Sequence, residues 1–145
     1  MTHEDRDLLA RLAHELRTQD NLATSIPIFV VQQRRRIYGL GENYTEDFVW
    51  VDSEGSDYLT EAEVIEVYGP VFSATAVWKV GVVDIWEHVT TCLTRKGCQD
   101  YIAANGHNLK DPRIYVESGY RNREWEELRE LIMRLGAEEE PAAPK

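Results

Sequence analysis

The stretch NGHNLKDPRIYVESGYRN, Asn105 to Asn122, gathers amide, guanidinium and phenol groups around a short apolar run. An asparagine amide offers a donor and an acceptor, as an adenine edge demands, and an arginine fork suits a phosphate. This chemistry predicts a surface that holds a small polar ligand. The alternative is that the asparagines serve turns and helix caps, a role we assign to Asn122, while Tyr115 lies in the core. The candidate ligand residues are Asn105, Asn108, Arg113, Tyr120 and Arg121.

A second candidate is the triplet Arg34-Arg35-Arg36. In a strand, alternate side chains share a face, so Arg34 and Arg36 would point the same way with Gln32 and Tyr38. Such a stripe suits a phosphate and a stacked base. The alternative is an exposed strand end that pairs with the protein's own aspartates and glutamates.

Metal and acid/base chemistry have weaker signals. His88, Cys92, Cys98 and His107 are close in sequence, but no C-x-x-C pair accompanies them. No P-loop, nucleophile elbow or H-E-x-x-H motif is present to support Asp84, Glu87 and His88 as catalytic groups. We therefore expect no catalytic residue, no metal and no cofactor.

The chain has 145 residues, of which 43% are apolar and 10% aromatic, and a formal net charge of −10. These values predict one domain over residues 1–136, followed by a disordered acidic tail over residues 137–145. The charge disfavours nucleic acid and anionic membranes as partners. Since no signal peptide or apolar run of about 18 residues is present, we expect a cytoplasmic protein. The aromatic content predicts at least a dimer.

These side chains must be positioned by an α+β fold with a mainly antiparallel sheet. Helices are predicted over about residues 3–18, after the capping box Thr60–Glu63, after Thr94, and from Asn122 to a stop at Gly136. The last helix is predicted to bury a stripe of Trp125, Leu128, Leu131, Ile132 and Leu135.

Strand patterns fill the intervening segments. IPIFVVQQRRRIYG is one strand, FVWVD its hairpin partner, and SEGSD a turn or loop. ATAVWKVG and VVDIWEHVTTCLT are two further strands, and RIYV is the last, preceded by a helix that ends near Gly106.

The segments VQQRRRIYG, FVWVD, DIWEHVTTCLTRKGCQDYIAANGHNLKDPRIYVESGYRNREW and LRELIM resemble small proteins encoded by tailed phages and prophages, over about residues 28–135. The combination of GHNL, PRIY and YRN is distinctive. Among such proteins, the chain resembles the phage anti-Thoeris sponge family. That resemblance implies a non-catalytic protein that sequesters cyclic ADP-ribose isomers made by bacterial TIR enzymes, and so silences a host defence. It also implies a homo-oligomer, a dimer or a dimer-based hexamer.

The same resemblance implies that an aromatic ring, an asparagine and arginines grip the ligand. The matching positions are Asn105, Asn108, Arg113 and Arg121, with Arg34 or Arg36. Relatives are expected to carry a phenylalanine where this chain has Leu93, so Tyr101, Tyr120 or Trp86 would have to replace that ring. Two other classes stay open: an acidic protein-binding inhibitor that imitates nucleic acid, as anti-CRISPR proteins do, and an enzyme that cleaves such a signal.

Overall fold

The computed structural model describes residues 1–41, 43–70 and 77–138. Its helices are α1 (His3–Thr18), α2 (Glu61–Tyr68), α3 (Arg95–Asn105) and α4 (Arg123–Glu138), with a short 3₁₀ turn at Gly106–Asn108. Its strands are β1 (Pro27–Leu40), β2 (Phe48–Asp52), β3 (Asp57–Tyr58), β4 (Val77–Cys92) and β5 (Arg113–Ser118). The strands form one sheet in the order β3-β2-β4-β1-β5. The predicted α+β class, with its antiparallel sheet and three named helices, is confirmed.

The predicted helix starts are confirmed because the capping residues do what their types favour. Thr2 and Asp5 form a reciprocal capping box at α1, with N···O distances of 3.0 and 3.1 Å. Thr60 Oγ1 accepts from the Glu63 N–H at α2. Thr94 Oγ1 accepts from the Gly97 N–H at α3. Asn122 Oδ1 accepts from the Trp125 N–H, so its assignment as the cap of α4 is also confirmed.

Two compact units make up the chain: Met1–Gln33 together with the segment from Glu87 onward, and Arg34–Trp86. In the first unit, Phe29, Val31 and Cys98 form a buried cluster that joins β1 to α3. In the second unit, the buried side chains include Val49, Val64, Val77 and Val82. The single-domain prediction for residues 1–136 stays a prediction.

The prediction that Gly136 stops the last helix is wrong. The helix α4 continues to Glu138, and Gly136 is buried inside it. A Cβ at this position would meet the carbonyl oxygen of Leu9 and the Cβ of Ala13. Gly136 therefore lets α1 and α4 approach closely, and close helix packing rather than termination explains the glycine.

The predicted buried stripe of α4 is partly wrong for the same reason. Because α4 packs against α1 around Gly136, the buried face is centred on Ile132 and Gly136. Leu128 and Leu131 turn away from it and keep 47% and 39% of their surface exposed. The tail prediction began at residue 137, whereas the helix includes residues 137 and 138; residues 139–145 lie outside the described chain.

The predicted strand pairing also needs correction. The segments ATAVWKVG and VVDIWEHVTTCLT were expected to be two strands, but Val77–Cys92 is one continuous strand, and residues 74–76 lie outside the described chain. Gly81 does not break the strand, because its missing side chain admits the backbone of Leu40. FVWVD is not a hairpin partner of β1, since β2 pairs antiparallel with β4 and β3. Part of the expected SEGSD turn is β3.

Candidate functional site

Arg36, the last arginine of the triplet on β1, is held by two aspartates of the Arg34–Trp86 unit. The Nε and Nη2 atoms of Arg36 donate to the two carboxylate oxygens of Asp84, at 2.8 and 3.1 Å. Its Nη1 donates to Asp57 at 3.4 Å. The hydrogen bonds to Asp84, the charge of Asp84 and the hydrogen bond to Asp57 hold the pKa of Arg36 above its usual value. Two aspartates around one guanidinium leave this group without excess positive charge for a phosphate.

Arg34 lies on the same strand with a different partner. Its guanidinium carbon is 5.6 Å from the centroid of the Trp86 ring. This cation–π distance is within the range of a favourable contact. Arg36 therefore pairs with the protein's own aspartates, which was the alternative to ligand binding. A ligand role for Arg34 stays a prediction.

The end of α3 holds the two candidate asparagines. Asn105 Nδ2 donates to the carbonyl oxygen of Tyr101 at 3.0 Å, a bond that closes the last turn of the helix. Asn108 is exposed, and its Nδ2 lies 3.0 Å from Nε2 of His107. Asn105 therefore has the helix-terminal role that was the alternative to ligand binding, while Asn108 presents its amide at the surface.

Arg113 begins β5 and lies beside β1. Its Nε donates to Oε1 of Gln32 at 2.8 Å, and Arg113 and Gln32 are also register partners. Its guanidinium carbon is 5.1 Å from the centroid of Tyr115. Tyr115, which the alternative interpretation placed in the core, keeps 44% of its surface exposed. The two side chains form a cation–aromatic pair in which the Tyr115 ring is exposed.

Tyr120 and Arg121 form a second pair in the turn between β5 and α4. The Arg121 guanidinium carbon is 5.2 Å from the Tyr120 ring centroid, and 72% of Tyr120 is exposed. Arg121 has a φ of 64°, in the left-handed region that a residue with a Cβ rarely adopts. The turn therefore holds a strained backbone conformation while the ring and the guanidinium both point outward. Such strain is typical of functional sites.

The candidates separate into two groups within one chain. Arg113 lies opposite Gln32 at one end of β5, and Lys110, soon after Asn108, donates to Gln33 near that end. The Tyr120–Arg121 turn follows the other end, where Gly119 donates to Ile26. Six residues of strand span about 17 Å. The Tyr120–Arg121 turn and Arg113 therefore lie at opposite ends of β5, while a pocket shared by Asn105 and Arg121 stays a prediction.

A carboxylate that sequence reasoning missed organises the Arg34–Trp86 unit. Asp52 is buried, and its Oδ2 accepts from the hydroxyls of Tyr58 and Tyr68 at 2.9 Å each. Its Oδ1 accepts from the backbone N–H groups of Ser56 and Glu54. The Ser56 N–H, the two phenols and the Glu54 N–H together lower the pKa of Asp52. The Asp-Ser-Glu-Gly-Ser sequence, an aspartate before a turn, was the available signal.

An open groove of about 480 Å³ lies in the same unit. Carboxylates of Glu46 and Asp47 stand beside apolar side chains, among them Phe48 and Leu59. The remaining lining residues are Arg36, Val49, Val82, Val83 and Asp84. With Arg36 neutralised by its aspartates, the groove favours a cationic occupant with an apolar part.

Within the described residues, no group of three or more His, Cys, Asp or Glu side chains is placed to hold a metal ion. None of the helices in that part of the chain has the length and apolar character needed to cross a membrane. Comparison of the chain with protein-family models, curated proteins and solved structures gives no match.

Proposed function

We propose that this protein binds a nucleotide-derived small molecule at the Tyr120–Arg121 turn and sequesters it without chemical change. The observation that carries the proposal is the exposed Tyr120 ring with the Arg121 guanidinium 5.2 Å from its centroid, on a strained turn. A base stacks on such a ring, and a guanidinium binds a phosphate with two parallel hydrogen bonds.

The biological setting of the proposal comes from the resemblance. The ligand is then an immune signal of the cyclic ADP-ribose type, and the protein is a phage-encoded inhibitor of bacterial immunity in the cytoplasm of the infected cell. Sequestration requires affinity and abundance but no catalytic group. A ring and a guanidinium are groups that supply such affinity.

Calorimetric titration with a panel of cyclic nucleotides and cyclic ADP-ribose isomers tests the proposal. Arg121→Ala should weaken binding about tenfold to a hundredfold, because a charge-assisted hydrogen bond contributes about 1.5–3 kcal/mol. Tyr120→Ala removes the stacking surface and should weaken binding to a similar degree. Arg123→Ala is the matched control, since it removes the same charge from an exposed position two residues later.

Mass spectrometry of heat-treated complexes separates sequestration from turnover. An unchanged ligand released from the wild-type protein supports sequestration, whereas a cleaved product would indicate the enzyme alternative. Failure of every nucleotide in the panel to bind, or equal affinity in wild type, Arg121→Ala and Tyr120→Ala, would remove the proposal.

A second candidate function is supported by the groove at Glu46 and Asp47. Its carboxylates and the exposed Leu59 would accept a basic segment of a host protein, as an acidic inhibitor of a defence complex would. Charge removal by Glu46→Gln with Asp47→Asn should then abolish inhibition in cells and leave nucleotide binding intact. Inhibition that survives this double change but is lost in Arg121→Ala would favour the nucleotide site.

A further inference from the structure

The strand β5 has a free outer edge among the described residues, because it is the last strand of the sheet and pairs on one side with β1. An open groove of about 420 Å³ runs beside this edge. It is lined by the loop Leu22–Thr24 and by four residues of β5, Ile114, Tyr115, Val116 and Ser118. An uncovered edge strand with unpaired backbone groups is a template for another strand.

The register with β1 determines which backbone groups of β5 point outward. Gly119 donates its N–H to Ile26, which places Gly119 toward β1. Successive residues of a strand alternate in direction. Arg113, Tyr115 and Glu117 therefore bond toward β1, and the N–H and C=O groups of Ile114 and Val116 point to the groove.

We propose that β5 pairs antiparallel with β5 of a second copy of this chain, about a two-fold axis at Tyr115. In this register, Ile114 of one copy lies opposite Val116 of the other, and both are outward-pointing residues able to exchange backbone hydrogen bonds. Arg113 lies opposite Glu117 twice, once on each side of the axis. These are non-hydrogen-bonded positions, where cross-strand side chains are closest.

Of the three registers with a two-fold axis at Ile114, Tyr115 or Val116, the register centred on Tyr115 is the one in which the side chains of β5 complement their own copy. A shift of the axis to Ile114 would place Tyr115 opposite Arg113, and a shift to Val116 would place Tyr115 opposite Glu117. The axis at Tyr115 instead forms two Arg113–Glu117 ion pairs and one tyrosine–tyrosine pair. The same patch meets itself, as a two-fold interface requires.

Apolar side chains beside the outer edge of β5 are exposed in the single chain, and a dimer at this edge would remove them from water. Leu22 keeps 57% of its surface exposed and has a φ of 56°. Asp20 Oδ1 accepts from the Leu22 N–H at 2.8 Å and stabilises that turn. Leu22 and Tyr115 both line the groove, and a second β5 seated there would cover them.

The pairing has a geometric consequence for the candidate residues. Since the two strands run in opposite directions, the Arg113 end of one copy lies beside the Tyr120 end of the other. Groups at opposite ends of β5 within a chain therefore become neighbours across the two-fold axis.

Charge reversal with measurement of mass in solution tests the proposal. The wild type should sediment at twice the chain mass of 16.7 kDa. Arg113→Glu and Glu117→Arg each place two like-charged pairs at the interface and should each raise the dimer Kd about tenfold or more. The double reversal restores two opposite-charge pairs and should restore the dimer. Glu124→Arg, an exposed change outside β5, is the matched control.

Mixing the two single variants gives the sharpest outcome. One variant carries glutamate at both positions and the other carries arginine, so each should be a monomer alone and a heterodimer when combined. Hydrogen exchange of the wild type adds a readout that needs no variant: the amides of Ile114 and Val116 should gain protection as concentration rises. A monomeric wild type, unchanged exchange at these amides, or a dimer indifferent to both reversals would overturn the proposal.

Discussion

Both carboxylate oxygens of Asp84 accept hydrogen bonds from the guanidinium of Arg36, at 2.8 Å from Nε and 3.1 Å from Nη2. This fork joins a residue of β1 to a residue of β4, 48 positions apart in the chain. For Arg36, it favours pairing with the protein's own aspartates over ligand binding, because a guanidinium that is already matched to a carboxylate is a poor phosphate ligand.

The two parallel hydrogen bonds between Arg36 and Asp84 predict that lysine at position 36 makes the protein less stable. Arg36→Lys keeps the charge but loses the planar pair of donors, and should lower the free energy of unfolding by about 1 kcal/mol. Urea denaturation measures this loss, and Arg35→Lys, on the opposite face of the strand and exposed, is the matched control. Nucleotide binding should be unchanged in both. A tenfold weaker affinity of Arg36→Lys for the nucleotide would contradict this prediction and indicate that Arg36 contacts the ligand.

Asp52 predicts a loss of stability in acid. Its pKa is lowered in the folded protein, so the unfolded state binds the proton more tightly. Stability from Asp52 is present above the unfolded pKa of about 3.9 and is lost as pH falls through the folded pKa. Asp52→Asn should therefore melt lower than wild type at neutral pH, and the gap should narrow below about pH 4. Melting curves across this range check it.

The matched control for Asp52 is Asp47→Asn, an exposed aspartate of the same unit. Its melting temperature should follow that of the wild type at each pH. A constant gap between wild type and Asp52→Asn from neutral pH into acid would contradict the role assigned to the ionised carboxylate.

Gly136 predicts an unusual response to alanine. In an ordinary helix interior, glycine to alanine stabilises by about 1 kcal/mol. Here the new Cβ meets the Leu9 backbone and Ala13, so Gly136→Ala should destabilise by about 1–3 kcal/mol in urea denaturation. Gly106→Ala is the control, because Gly106 has a φ of −56° and its Cβ would lie 3.8 Å from Ile102. Equal effects of the two substitutions would argue against close α1–α4 packing.

The left-handed backbone of Arg121 predicts that stability and nucleotide binding respond independently to substitution. Arg121→Gly removes the cost of a left-handed residue with a Cβ and should be about 1 kcal/mol more stable than Arg121→Ala, which keeps that cost. Both variants lose the guanidinium and should bind nucleotide equally weakly. Thermal unfolding paired with calorimetry measures the two effects. Identical stability of the glycine and alanine variants would mean that the turn is not strained.

Local patterns in the sequence determined the elements of this protein. Thr2, Thr60, Thr94 and Asn122 each begin a helix, because a short side-chain oxygen satisfies N–H groups within its own turn. The alternating and β-branched runs indicated β1, β2 and β5, since such side chains fit a pleated, half-buried surface.

Tertiary structure alone decided the roles that depend on distant residues. Gly136 is a packing glycine because Leu9 lies against it, and Arg36 is an ion-pair residue because Asp84 lies opposite. The placement of Arg113 and the Tyr120–Arg121 turn at opposite ends follows from the extended length of β5 between them. No local pattern records which surfaces meet, because contacts across a fold arise from pairs of segments that the sequence places far apart.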